Sequence, residues 1–297
     1  MTFLKVEIEC LSCIIHRGYL EIAESSEDPR LQFKMASKLL DYLAKEFTPN
    51  AVAAILGTTR DRIIKQISGN SDIYYEKKRL SNQMIMSLLP KLKKTIESEA
   101  TPDQRFRKAT LAAIVGNIIE FNIPKHEVNF GQLSQLIADA EVDLAIDEIS
   151  EIYNEAKKAN TILYLTDNAG EIVLDKLLIS ELKQLGLKII VAVKDGPVLN
   201  DATLEDARAV NMFNLANKVI TTGSDAVGLP IPEERSKEFE DVYNQADLVI
   251  AKGMGYAESL TEGSLKQPHA LLLRTKCNPV ARYFGVPKSK NVAKLMK

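Results

Sequence analysis

The sequence predicts an α/β protein in which a Rossmann-like α/β/α domain with a parallel sheet follows an all-helical N-terminal domain. Two observations predict it. Up to about Phe121 the apolar residues recur almost everywhere at helical spacing, and after Glu141 short β-branched runs alternate with helical stretches, as βαβ units require. The length of 297 residues and hydrophobic content of 45% suffice for a large α/β domain or two modest domains with their own cores. The expected division is 1–125 for the helical domain and 126–297 for the α/β domain, with the cleft between them as the natural ligand site.

Taken in order, the helical half reads as Leu31-Met35-Leu39-Leu40-Leu43, then Val52-Ile55-Leu56-Ile63-Ile64-Ile67, then Met84-Ile85-Leu88-Leu89. Breaks are expected at Thr48-Pro49-Asn50, Ser68-Gly69-Asn70, Thr101-Pro102-Asp103 and Asn122-Ile123-Pro124, where turn formers interrupt the periodicity. Pro90 lies inside the run from Asp72 to Glu97 and is expected to kink or divide it, because it lacks an N–H and crowds the preceding turn. A helix is expected from Glu141 to about Lys158. The strands follow at Thr161 to Thr166, Lys188 to Lys194, Lys218 to Thr222, Asp247 to Lys252 and Ala270 to Lys276.

Charge and composition remove several function classes. Lys and Arg total 38 against 40 for Asp and Glu, a formal charge of −2 with no polybasic run, so nucleic acid is not an expected partner. Apolar runs such as Ala112 to Val115 and Leu187 to Val193 fall well short of the roughly 20 residues that span a bilayer, so no membrane partner is expected. The opening MTFLKVEIECLSC carries early acids and no signal-peptide pattern, which predicts a cytoplasmic location. Oligomeric state is not legible. Cys10, Cys13 and Cys277 cannot form a disulfide framework; Cys10 and Cys13, with His16, are compatible with zinc, with a local redox pair, or with two half-buried thiols in a first helix.

In an open parallel sheet, ligands gather beyond the carboxyl ends of the strands where strand order reverses. The first predicted strand ends in Asp167-Asn168-Ala169-Gly170-Glu171 directly before a helical pattern, which suits a cation and a phosphate together. The second ends in Lys194-Asp195-Gly196-Pro197 followed by Asn200-Asp201, the fourth in Lys252-Gly253-Met254-Gly255, and the fifth in Arg274-Thr275-Lys276. The carboxylates of Asp167 and Asp201 with the amide oxygen of Asn168 form an all-oxygen, hard-ligand set suited to Mg²⁺ or Mn²⁺. Lysines on the same rim could hold a phosphate against that cation. The plainer alternative is that Asp167 and Asp201 cap the helices that follow them. A Walker A sequence is absent, the first strand lacks GxGxxG, and Ala169 stands where a haloacid-dehalogenase-type DxD motif needs a second Asp.

DNAGE after the first strand, GPVLNDAT after the second, KGMGYAESL after the fourth and the closing RTKCNPVARYFGV resemble the domain of unknown function 89 family, the metal-dependent damage-control phosphatases. CLSC near the N-terminus, DIYYEKKRLSN at Asp72 to Asn82 and AAIVGNIIEF at Ala112 to Phe121 resemble its short, CxxC-bearing prokaryotic and archaeal branch. The resemblance spans almost the whole chain. It implies a helical domain packed on a Rossmann-like one, a divalent cation on Asp167, Asn168 and Asp201, and a phosphate gripped by Lys276. Two departures stand out: Cys277-Asn278-Pro279 replaces an acidic residue found soon after the final lysine in larger members, and Tyr256 takes the Asn position of KGxGN.

The function this implies is metal-dependent hydrolysis of phosphate monoesters of small, damaged metabolites such as sugar phosphates, with Mn²⁺, Mg²⁺, Co²⁺ or Ni²⁺ as the cofactor. Asp167, Asp201 and Lys276 are the catalytic candidates. Gly170 and Glu171 at the helix N-terminus, Lys252, Lys276 and, from the helical half, Asn117 are the substrate-binding candidates, and Asp201 or Glu171 could take a proton. Asn117 could equally be a buried or capping amide. An S-adenosylmethionine-dependent carboxyl methyltransferase and a non-enzymatic phosphometabolite-binding protein are the alternatives; the former needs a glycine-rich first loop, and DNAGEIV supplies only Gly170.

Overall fold

The computed structural model describes residues 4–116, 130–261 and 265–297. In chain order these form α1 (Ile8–Ser25), α2 (Pro29–Glu46), α3 (Ala53–Ser68), α4 (Tyr75–Glu97), α5 (Pro102–Gly116), α6 (Phe130–Val142), β1 (Leu144–Asp147), α7 (Ile149–Ala156), β2 (Thr161–Leu165), α8 (Glu171–Gln184), β3 (Lys188–Val193), α9 (Leu204–Ala209), β4 (Lys218–Thr221), α10 (Lys237–Gln245), β5 (Leu248–Lys252), α11 (Gly253–Leu260), β6 (His269–Arg274), α12 (Asn278–Phe284) and β7 (Asn291–Met296). Among the described residues no helix is long and apolar enough to cross a membrane.

Among the described residues one seven-stranded sheet runs β1-β7-β6-β5-β2-β3-β4, with every neighbour pair parallel except the antiparallel β6 and β7. Strand pleating sends successive side chains to opposite faces, so a strand covered on both sides must be apolar throughout. β2, β3, β5 and β6 obey this. Ile162, Tyr164, Ile189, Val191, Leu248, Ile250, Ala270 and Leu272 enter one core with α4, α5, α7 and α8. Their alternates Leu163, Leu165, Ile190, Ala192, Val249, Ala251, Leu271 and Leu273 enter the other, with Phe239, Tyr256, Leu260 and Val280 from α10, α11 and α12.

The predicted helix breaks coincide with observed helix ends: 48–50 lies between α2 and α3, 68–70 spans the end of α3, where Gly69 turns at φ 73°, and 101–103 spans the start of α5. Pro90 does not divide α4, which runs unbroken through it because Ile85, Leu92 and Ile96 bury both halves in one core. Ile85, Leu92 and Ile96 of α4 and Phe106 to Val115 of α5 share their core with the sheet, whereas α1–α3 keep two small clusters of their own around Leu39 and Met35. The expected boundary at 125 and the break at Asn122-Ile123-Pro124 lie outside the described residues.

The stretch expected to be helical from Glu141 to Lys158 is a correction. It contains β1, whose alternating exposure marks a half-covered edge strand, before α7 begins at Ile149. β1 exists because it pairs with β7, a strand at the far end of the chain that no pattern in the sequence announces.

Candidate active site

Strand order reverses between β2 and β5, so their carboxyl ends open the crevice where ligands collect in such sheets. Asp167 and Asn168 leave β2 there. Ala202 N–H donates to the Asp167 carbonyl at 2.7 Å and Ala169 N–H to the Asn200 carbonyl at 2.9 Å, a short ladder that sets Asn168 opposite Asp201. Gly253, at φ 83°, lines the other side of the crevice; a Cβ on it would collide with Asp167 Oδ2, so only glycine lets α11 start this close.

The three candidate ligands are therefore brought together. Neither acid is a helix cap: α8 is preceded by Gly170, and α9 is capped by Thr203 in a capping box with Asp206. Asn168 donates its amide N–H groups to Asp167 Oδ2 at 2.9 Å and Glu171 Oε2 at 3.0 Å, which leaves its oxygen as the atom suited to a cation. Asp201 is 3% exposed, and its Oδ2 is buried without a hydrogen-bond partner. Burial, then the Glu171 and Asp201 charges, push the Asp167 carboxyl well above the usual range, against the opposing pull of Lys276 and Lys194. Burial pushes Asp201 up to about 6, with Lys194 opposing and Asp61 and Glu171 adding to the rise. Carboxylates crowded with too little compensation are what a divalent cation relieves. Among the described residues no three His, Cys, Asp or Glu side chains are grouped to hold an ion.

Lys194, at the end of β3, is legible as a strand-end lysine, but nothing in its sequence context assigns it a role. It is buried 3.7 Å from Asp201 Oδ2, donates to the Gly228 carbonyl at 2.5 Å, and stacks 4.6 Å above the Tyr256 ring. Tyr256 lies inside the core, as the aromatic floor beneath that lysine. Lys276 follows β6, half-buried, with its N–H donating to Met254 Sδ at 3.3 Å, and its charge is felt at Asp167.

Three substrate-binding expectations change. Lys252 points inward, not to the rim: it is fully buried and spends its three N–H bonds on Glu171 Oε1 at 2.5 Å, Asp175 Oδ1 at 2.7 Å and the Ala113 carbonyl at 2.8 Å. Burial draws its pKa down, but Asp175 and Glu171 more than reverse this, so the ammonium stays charged. Glu171 is correspondingly engaged with Lys252 and Asn168. Two of the amide N–H groups at this helix start are committed as well, Ala169 N–H to the Asn200 carbonyl and Gly170 N–H to Asn82 Oδ1 at 2.7 Å. Asn117 lies outside the described residues. In the first helix Cys10 is half-buried and Cys13 exposed, both as free thiols.

Sequence reasoning missed the contribution of α4. Lys78, Ser81 and Asn82 are buried on one face of it, and Asn82 reaches both Gly170 and Asp206. The signal was present in DIYYEKKRLSN, which ends on that asparagine.

The whole chain has counterparts. Residues 6–292 match the model of the damage-control phosphatase ARMT1-like domain. An uncharacterized protein of Methanocaldococcus jannaschii is 39% identical over 97% of this chain and 95% of its own length. A protein of Archaeoglobus fulgidus named damage-control phosphatase is 34% identical over 99% of this chain and 100% of its own. A crystal structure of a domain of unknown function 89 family protein from Pyrococcus horikoshii superposes with a TM-score of 0.89 at 32% identity, covering 99% of each chain. A fold, a full-length sequence match and several relatives above 30% identity agree, and the chain belongs to the damage-control phosphatase ARMT1-like, or domain of unknown function 89, family.

Proposed function

We propose that this protein is a metal-dependent phosphatase acting on phosphate monoesters of small, damaged metabolites, sugar phosphates among them. The observation that carries the reading is the buried Asp201 Oδ2, which accepts no hydrogen bond and has only the Lys194 ammonium at 3.7 Å, set among crowded acids at the strand-order reversal. The names of the Archaeoglobus and Pyrococcus relatives, both damage-control phosphatases, support it. Asp167, Asn168 and Asp201 would hold Mn²⁺, Mg²⁺, Co²⁺ or Ni²⁺, and their all-oxygen character suits Mg²⁺ and Mn²⁺ best. The cation supplies Lewis-acid polarisation of a phosphoryl oxygen when bound.

The chain's own side chains divide the remaining work. Lys276 holds the phosphate and offsets the charge that develops on it. Glu171, fixed by Lys252, orients Asn168 instead of taking a proton. Lys194 balances part of the acidic charge from below. The methyltransferase alternative is disfavoured by the turn after β2, where a Cβ on Gly170 would collide with Ser81 Oγ, so this loop has no open glycine cradle for a cofactor.

Phosphate release from a panel of phosphorylated metabolites tests the reading. Activity should vanish in excess EDTA and return with one of the four cations; an unchanged rate in protein shown to be free of metal would overturn it. Lys276→Ala should separate the two halves of the site. Its metal affinity should match the wild type while turnover falls on the order of a hundredfold, as loss of a preorganised cation predicts; full turnover would remove Lys276 from the mechanism.

A further inference from the structure

The two ligand-bearing turns are joined by a single side chain from the helical layer. Asn82 Oδ1 accepts the Gly170 N–H at 2.7 Å, and Asn82 Nδ2 donates to Asp206 Oδ1 at 2.8 Å. Asp206 Oδ2 in turn accepts from Thr203 N–H at 2.9 Å and Thr203 Oγ1–H at 2.8 Å. Gly170 lies two residues beyond Asn168, and Thr203 two beyond Asp201. With the backbone bonds between the two turns, Asn82 closes a ring of hydrogen bonds that contains all three candidate ligands.

The ring is built for one spacing. Asn82 is 3% exposed, so neither of its bonds is exchangeable with water at low cost. Its neighbour Ser81 packs against Gly170, which at φ 78° has no Cβ to yield, and Lys78 pairs with Asp72 at 2.7 Å and sits 3.6 Å from Asp206. These three residues, at positions i, i+3 and i+4, present one helix face to both turns.

We propose that Asn82 is a positioning residue that sets the distance between the Asp167-Asn168 turn and the Asp201 turn, so that the helical layer, through α4, completes the metal site. This rests on the reading of that site given above. Partners of this kind, one shell beyond the ligands, change metal affinity by roughly 10- to 100-fold when removed.

Mn²⁺ calorimetry on the full-length protein tests it, with thermal melting as the check on folding. Asn82→Ala and the near-isosteric Asn82→Asp should each weaken Mn²⁺ binding by roughly tenfold or more, while KM at saturating Mn²⁺ stays near the wild-type value. Asn82→Asp sets a carboxylate against Asp206, and Asp206→Asn alone sets two amide groups together. The double variant Asn82→Asp/Asp206→Asn exchanges the partners. The amide now at position 206 can donate to the carboxylate now at position 82 and still accept from Thr203, so affinity should return to within a few-fold of the wild type. A merely structural asparagine would not be rescued this way. Wild-type Mn²⁺ affinity in both Asn82 variants, or a double variant no better than the single ones, overturns the positioning role while leaving the metal site standing. A wild-type protein whose Mn²⁺ binding is absent, or is unaffected by Asp201→Asn, overturns both.

Discussion

Asp201→Asn should abolish Mn²⁺ binding and phosphate release and yet make the metal-free protein harder to unfold near neutral pH. A divalent ion left with one carboxylate and amide oxygens is poorly held, so turnover should fall by on the order of a thousandfold with it. The stability effect has the opposite sign because the native carboxyl binds its proton more tightly than the unfolded one. Its pKa rises from 3.8 to about 6, chiefly through burial. Protonation therefore favours the fold fully below the unfolded pKa, and that contribution is lost as pH rises through about 6. Above that value the ionised group costs on the order of 3 kcal/mol, which an amide of the same shape does not incur. Melting curves of the chelated wild type should accordingly decline between about pH 4 and 7, and those of Asp201→Asn should decline less. Added Mn²⁺ should raise the wild-type curve increasingly over the same range, since the cation needs the ionised form. Normal turnover and metal affinity in Asp201→Asn would remove this residue from the site.

The largest loss of stability should come from Lys252→Met. The ammonium sits with Glu171 and Asp175 at 0% side-chain exposure for all three, and Tyr164 O–H donates to the same Asp175 oxygen at 2.7 Å. Removing the cation leaves two buried carboxylates facing each other, and breaking a buried pair from one side typically costs about 3–5 kcal/mol. Restoring neutrality with Glu171→Gln and Asp175→Asn in the same protein should return most of that stability, because no charge is then left buried without a partner. The triple variant should still be a poor enzyme, since Glu171 no longer orients Asn168 as a carboxylate. Urea unfolding of the single and triple variants measures both effects; a single variant within about 1 kcal/mol of the wild type would show that the hub is not holding α8 to β5.

The same cluster explains why sequence alone misplaces Lys252 on the rim. Every strand-end lysine looks alike in sequence, and whether its side chain turns outward depends on what the neighbouring helices bring. Asp175 and Glu171 come from the first turns of α8, and Ala113 from α5, so the inward partners of Lys252 are assembled from two distant segments. Lys276, at the end of the adjacent β6, has Met254 and the Asp167 charge nearby and stays half-buried at the crevice.

Local pattern is enough to settle part of this protein. Continuous β-branched runs could satisfy only strands covered on both faces, the alternation with helical stretches required a parallel sheet, and the acids following Leu165 and Leu199 had to emerge at its carboxyl edge. Partners far away in the chain settle the rest, and they meet only in the folded molecule. β1 is a short edge strand that exists through β7, and β7 in turn pairs with β6; Tyr256 lies beneath Lys194, and Asn82 ties two turns that share no sequence neighbourhood with it. The physical reason is common to all three. A hydrophobic period is written into consecutive residues, whereas a hydrogen bond or ion pair between remote segments exists only after the cores have packed and removed the competing water.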